Sequence, residues 1–566
     1  MRPRLAMLCL LVPAACGPQG VTIGGQTGES AVSDDSSAPD DTAPEVAPGD
    51  TSPDDSGKTD GGSLQFEPNG GTFVLSTEVA LSAGGSAIEY CLADPDASTC
   101  TMQAYAAPFA VSDSTIVHAR IAGTTDEKAR AFIEVEDNLA AFSSPIPLFV
   151  AYTQHDAPAD TSTHVPMGLV VLEPPEGDTI AMLDAPADSG RARMRVRGSS
   201  SSSFDKKAYD MELWDAAAEQ DRSEALLGLP ENGDWVLYAP YYFDDALIRN
   251  PLAYTLSNQI GRYAPRTKFF ELFMGVRGRP VRSSDYLGVY VLTEEVERDV
   301  NRVNVVPILP EDVNDPEVTG GYIVKIDRVG DGESGFTAGT AGGRWNFQQT
   351  FVAVQPDEAT LERAQSAYLE ARLDSLGWAL AADDLTDPFG GLRYDEIMDV
   401  DTFIDHHIVN VVMKNPDSFR LSGYMFQDRE GLVSAGPVWD FDRAAGSTDS
   451  RAFNPHWWDA QNETPDCTAV FDFGWYAGLF EIPEFQDRYW TRFETLLTTD
   501  YSDENIQATI DALAANLDEP AARNAATWGS EPFDDEITKL KEWFRERDAW
   551  MLNCVQTYPD PRDCPG

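Results

Sequence analysis

Positive charge is what this chain has least of. Its 566 residues carry 41 Lys and Arg against 94 Asp and Glu, a formal net charge of −53. A polyanion repels nucleic acid and anionic lipid, and no basic stripe offsets it, which excludes extended binding to either. Basic proteins, cations, or a metal-bridged anion such as a nucleotide remain as partners. Past the N-terminal leader no run of roughly 18 apolar residues occurs, so nothing there reads as a membrane-spanning helix. No CxxC pair or Cys/His cluster has zinc spacing. The six histidines include no HExxH, and the absence of GxSxG leaves a serine-hydrolase triad without support. His406 and His407 sit together in one helical stretch with no second ligand set, and they read as structural.

The first residues, "MRPRLAMLCLLVPAACGPQG", have a positive start, a short apolar stretch from Leu5 to Val12 and small residues before Cys16. That is the layout of a secretory signal. "PAAC" resembles a bacterial lipobox, with Pro13 where Leu is usual, so residues 1–16 predict export with a lipid anchor at Cys16, ordinary secretion being the alternative. Residues 17–62 are Ser, Asp, Pro, Thr and Gly with no aromatic residue after the leader, a composition that stays extended as a tether. Export implies an oxidising compartment. Cys91 with Cys100 and Cys554 with Cys564 are close local pairs suited to disulfides, and Cys467 is left over or competes for Cys554 or Cys564.

With 42% apolar content, 12 Trp and 27 Phe, the rest is rich enough for a sizeable core. Residues 63–144 contain short alternating runs such as "TFVLSTEVALSA", "AIEYCL" and "STIVHARIA", split by Gly, Asp and Ser, an all-β pattern. It resembles the small chitobiase C-terminal-type β-sandwich attached to many secreted enzymes, and reads as a spacer. Residues 146–556 mix strands, dominant in the first half, with helices, dominant in the second. The fold class is therefore α+β with two lobes, ending in a tail over 557–566.

Three constellations could carry chemistry. In "MRVRGSSSSSFDKKAYDMELWD" a strand ending at Arg197 meets Gly198 and a serine run, then a second strand starting near Lys206. Period two puts Lys207 on the face of Tyr209, Met211 and Leu213. Loop amides and hydroxyls with an inward lysine suit phosphate handling, although a plain hairpin with a serine linker reads the same. In "YLGVYVLTEEVE", Glu294 and Glu295 end an apolar strand, where one of them can pair with an inward lysine. In "KNPDSFRLSGYMFQDREGLVSAGPVWDFDRAAG", a helix over Thr402–Met413 stops near Pro416, so Asp417 opens a loop at a helix terminus. The remainder reads as a hairpin with Gly431 in its turn, its second strand ending on Asp440 and Asp442. Alternation would put both carboxylates on one side, where a divalent cation relieves their repulsion; an exposed turn with two capping acids is the alternative.

These blocks, with "DWVLYAPYYFDDALIRNPLAYTLS" and "GGYIVKID", resemble in order the CotH kinase family of secreted atypical kinases. The resemblance implies a remote, two-lobed protein-kinase-like domain and ATP-dependent phosphorylation of protein hydroxyls with Mg2+ or Mn2+. It makes Asp417 the catalytic aspartate and Asp440, with Asp442, the metal carboxylate. Lys207, or Lys206, would contact the phosphates with Glu294 or Glu295 as partner, and Arg197, Gly198, Ser200 and Ser201 would cover the nucleotide. Departures include Ser199 for a usual asparagine, Asp210 for a frequent arginine and Lys325 for a frequent acid. Ser422 stands where kinases carry a metal-binding asparagine, leaving Asn415 as the candidate substitute. The implied substrate is an exported or surface protein, basic and Ser-rich. The competing readings are a catalytically silent surface adhesin and a carbohydrate- or protein-binding scaffold on the same fold.

Overall fold

A computed structural model describes residues 63–566 apart from 98, 126, 217–221, 331–334, 340–347, 358 and 460–467. The leader, the acidic tether and Cys467 lie outside the described residues. Both local cysteine pairs, Cys91–Cys100 and Cys554–Cys564, are disulfide-bonded.

The alternating runs of the N-terminal segment become eight short strands: β1 (Gln65–Glu67), β2 (Gly71–Phe73), β3 (Thr77–Ser82), β4 (Ile88–Ala93), β5 (Gln103–Ala104), β6 (Phe109–Val111), β7 (Thr115–Ile121) and β8 (Glu127–Glu134). They form two sheets, ordered β1-β3-β6 and β2-β8-β7-β4-β5. Phe66, Val79 and Leu81 from one sheet and Phe73, Val117 and Phe132 from the other fill a shared core.

The chain continues through β9 (Ser143–Ser144), β10 (Leu148–Tyr152), β11 (Val165–Leu172), β12 (Ile180–Ala181), β13 (Asp188–Arg197), β14 (Ala208–Trp214), β15 (Asp234–Tyr238), α1 (Arg249–Gln259), β16 (Thr267–Gly275) and β17 (Tyr286–Glu294). Seven of these strands close into a barrel, in the order β10-β11-β13-β14-β15-β17-β16, while β9 pairs with β12. In β13, Ala192, Met194 and Val196 point into the barrel opposite Tyr209, Met211 and Leu213 of β14. The intervening arginines face outward and pair across the strands, Arg193 with Glu212 and Arg195 with Asp210. Each large side chain fully buried in this interior stabilises by roughly 1.5–3 kcal/mol.

β10 reads "LFVAY" and is buried on both faces, which is why its sequence runs apolar without alternation. Phe149 and Ala151 face the barrel interior. Leu148, Val150 and Tyr152 face the other way, into a layer shared with Val170 and Leu172 of β11 and with Ile116, Ala131 and Ile133 of the sandwich. Arg191, fully buried, donates across the same boundary to the Pro95 carbonyl at 2.7 Å. The spacer expected over 63–144 is thus bonded to its neighbour through an apolar layer, because β7 and β8 have a second apolar face that must be covered.

The C-terminal part contains β18 (Tyr322–Ile326), β19 (Gly335–Ala338), β20 (Gln349–Gln355), α2 (Arg363–Ala381), α3 (Val400–Val412), β21 (Gly423–Gln427), β22 (Ser434–Ala435) and α4 (Trp475–Leu479). After these come α5 (Pro483–Thr498), α6 (Asp503–Ala514), α7 (Asp518–Trp528) and α8 (Phe533–Thr557). Its sheet runs β19-β20-β18-β21-β22, and with α1 to α8 it encloses the largest core. The Asp399 side chain caps α3 by accepting from the Asp401 and Thr402 amides, satisfying donors the helix start leaves unpaired. His407 of α3 is fully buried between Tyr489 and the Val470 carbonyl, each 2.8 Å away, as a structural histidine should be. The last residues fold back, with Trp458 and Trp550 donating to the carbonyls of Pro561 and Pro565.

A chain starting at residue 146 would expose Val150, Val170 and Leu172 as one apolar patch. It is expected mainly in the insoluble fraction, or as a dye-binding aggregate on size exclusion. A soluble, monodisperse truncation would refute the shared layer.

Candidate functional site

Two loops meet beside the barrel. The first follows α3: Lys414 has φ 48°, Asn415 precedes Pro416, and Asp417 comes next. Lys414 is buried and donates to the carbonyls of Asn454 and His456, which anchors the turn. The second loop is Trp439–Ala445, and here the structure differs from the expected hairpin. β22 stops at Ala435, Pro437 has no amide to continue the ladder, and Asp440 takes φ 66°. The two aspartates therefore belong to an irregular loop, and strand alternation does not orient them.

α1 orients them instead. The Asp440 amide donates to the Tyr254 hydroxyl at 3.3 Å and the Phe441 amide to Asn250 Oδ1 at 2.5 Å. Arg249 donates to the carbonyls of Ala444 and Ala445 and pairs with Asp244 at 2.8 Å, both side chains being buried. The Tyr254 ring stacks on Trp439. Phe441 is fully buried as the loop's plug, so Asp440 and Asp442 are left on the outer side.

The loops are tied together. Asn415 accepts from the Asp417 amide at 3.2 Å and donates to the Asp440 carbonyl at 3.3 Å and to Asn410 Oδ1. Its amide is engaged at both ends, so Asn415 braces the two loops against each other. Asp417 is held by arginines: Arg451 approaches both carboxylate oxygens, at 2.8 and 3.3 Å, Arg420 binds the first, and Arg443 lies 3.8 Å from the second. Arg451 and Arg443 also pair with buried Asp449. Burial pushes the Asp417 carboxyl up, but Arg451 and Arg420 outweigh it and hold it below the ordinary value.

Asp440 and Asp442 have the opposite fate. Burial and then the Asp417 charge push the Asp440 carboxyl up to about 6, against Arg443. Its side chain still meets solvent, so water tempers both effects. Burial and Asp440 together raise Asp442 further. Ser422 Oγ lies 3.4 Å from both Asp440 Oδ2 and Asp327 Oδ2. Among the described residues no three His, Cys, Asp or Glu side chains converge as a closed metal cage. The oxygen set is nonetheless of the right kind for Mg2+, which needs one or two carboxylates and takes its other ligands from water and phosphate.

The barrel side departs from expectation in its lysines. Lys206, not Lys207, is the buried one; it donates to the carbonyls of Pro240 and Val289 and to Asn524 Oδ1, and sits over Tyr290. Three acceptors engage it fully, and burial lowers its pKa strongly. Lys207 precedes β14 and donates to the Ser202 carbonyl at 2.8 Å. Glu294 is fully buried and pairs with Arg266 at 2.6 Å and the Tyr263 hydroxyl at 3.1 Å, so neither lysine is its partner. The ion pair beside the aspartates is Arg197–Glu295, with Arg197 also 2.7 Å from Asp210 and 5.5 Å over the Trp439 ring. Gly198 is required at φ 99°, where a Cβ would lie 2.1 Å from Ser201 Oγ. The serine hydroxyls of Ser202 and Ser203 close on the carbonyls of Ser199 and Ser200 within their own loop.

Arg443, Arg451, Asp327 and Tyr254 escaped the sequence reading. Only Asp327 had a signal, as an acid ending the strand "YIVKI". Asp428 is structural: its carboxylate accepts from the Val306 amide.

Together these features define an α+β protein with an acidic, oxygen-rich site braced between two loops. The chain belongs to the CotH kinase family: residues 194–551, more than half of it, match the family described as CotH kinase protein. Among curated proteins none matches the chain.

Asp442 binds a proton more tightly folded than unfolded, so its ionisation destabilises the folded protein as pH rises above the ordinary carboxylate range. Asp442→Asn is expected to raise the melting temperature of chelator-treated protein at neutral pH by about 1–3 °C, and to lessen the gain that mild acidification gives the parent. Scanning fluorimetry checks both; a lowered melting temperature would contradict the assignment.

Proposed function

We propose that the chain is an exported CotH-type kinase, lipid-anchored at Cys16, transferring the γ-phosphate of ATP to Ser or Thr hydroxyls of a basic envelope or surface protein. The observation that carries this reading is the bracing of Asp417 and Asp440, from separate loops, through one asparagine, with opposite shifts in acidity. Asp417 stays an anion, accepts the hydrogen bond of the incoming hydroxyl and orients its oxygen. Its low basicity makes it an aligner first and a proton acceptor late in transfer. Asp440, with Asp442 and Asp327 near it, would hold Mg2+, which would supply positive charge to offset that of the phosphates. Arg197, held by Glu295, takes the place expected of a lysine and presents a fixed cation at the barrel side. Ser422 completes the oxygen wall where kinases use an amide.

A second reading, a silent binding protein on the same fold, draws support from one feature. Arg451 and Arg420 occupy Asp417 oxygens that an acceptor hydroxyl must share.

With labelled ATP, Mg2+ or Mn2+ and a basic Ser-rich acceptor, Asp417→Asn and Asp440→Ala are each expected to lose at least about 100-fold in transfer. Arg197→Met should lose at least about tenfold, and Lys207→Met should stay within about threefold of the parent. A parent protein that neither binds ATP nor transfers label sinks the kinase reading. Mg2+ is expected to raise the parent's melting temperature and leave Asp440→Ala unmoved; equal shifts would remove Asp440 from the metal site.

A further inference from the structure

Behind the Asp440 loop a cavity of about 150 Å³ opens between the end of α1, the segment after β17, and α3. A cavity of that size takes up one aromatic ring in other proteins. Its walls are largely apolar and aromatic, from Tyr263, Val303, Phe426, Pro437 and Val438.

The polar groups around it are mostly committed. Arg262 pairs with Asp405 at 2.7 Å, and Arg302 with Glu297 at 2.6 Å while lying over Trp235. The Thr402 hydroxyl donates to the Asp399 carbonyl and accepts from the Ala435 amide. The Tyr263 hydroxyl donates to Glu294. His406 differs. It lines the cavity, is only 9% exposed, and its Nδ1 has no hydrogen-bond partner among the described residues. Burial lowers its pKa to about 4, so at neutral pH it offers one donor and one acceptor. The same ring also borders the adjoining apolar pocket lined by Phe403, Phe419 and Met425. A buried polar group left unpaired is unfavourable, and a ligand that satisfies it gains accordingly.

We propose that this cavity is a binding site for a small neutral aromatic carboxamide, its ring between Tyr263, Phe426 and Val438 and its amide hydrogen-bonded to His406. The cavity-wall group without a hydrogen-bond partner among the described residues is an uncharged imidazole, which favours a neutral amide over a charged group. Gly436, Pro437 and Val438 form one wall and lead directly into Trp439 and Asp440, so an occupant stiffens the approach to the carboxylate loop. That consequence rests on the phosphotransfer reading; the binding itself does not.

Benzamide is the probe, with benzoate as its charged match, titrated against the full chain by saturation-transfer NMR. Saturable benzamide binding is expected, with benzoate at least about tenfold weaker. Benzamide should weaken by at least about tenfold in His406→Phe and in Asn304→Trp, the latter a bulky change at the exposed rim that keeps the test valid should the histidine variant misfold. Absence of saturable benzamide binding to the parent, parent-strength binding in Asn304→Trp, or equal binding of benzoate would each overturn the proposal. Loss of phosphotransfer alone, with benzamide binding intact, would bear only on the kinase reading.

Discussion

One buried guanidinium sets the geometry on which the site depends. Arg249, at the first position of α1, takes its charge partner from Asp244 and shares its Nε–H between the carbonyls of Ala444 and Ala445. An arginine suits this role because its planar fork reaches several acceptors from a single position. Removing it would strand Asp244 as an unpaired buried charge and leave two carbonyls unsatisfied, the combination that makes broken buried pairs strongly destabilising. Asn250 and Tyr254 then act along the same helix, one and five residues on, to fix Phe441 and Asp440. A helix face thereby fixes a loop that has no ladder of its own.

The site works by separating like groups. Asp417 and Asp440 lie on loops tied through Asn415, yet arginines hold one low while burial and like charge drive the other up. Divergent environments of this kind are how identical side chains acquire different chemical roles. The three arginines about Asp417 meet two carboxylates, Asp417 and Asp449, so the cluster keeps one positive charge. Burial and mutual repulsion act together at Asp440 and Asp442, and Arg443 offsets them only in part.

The all-β start, the strands ending at Arg197 and Glu294, the helix before Asp417 and both local disulfides were legible because each rests on local pattern: period two, period 3.6, or short cysteine spacing. Asp417 at the start of a loop after its helix was legible too, through Pro416. What escaped was set by contacts distant in sequence. Lys206 and Lys207 differ by one position, and which of them is buried depends on Asn524, more than 300 residues away. Glu294 looked free to meet a lysine until Arg266 arrived from the neighbouring strand. Alternation misled at Asp440 because Pro437 had already ended the strand. Arg451 carries no local signal at all; its part is defined only when the loop after Ala445 folds back onto Asp417.

The apolar layer between sandwich and barrel bears on how the protein comes apart. Modules joined by flexible linkers melt in separate steps, each with its own midpoint. Here Ile133 and Val150 belong to one layer, and neither side can open without wetting the other. The first strands of the chain and the barrel that carries Arg197 are therefore one cooperative unit, and a destabilising change far out in the sandwich is transmitted to the lifetime of the site.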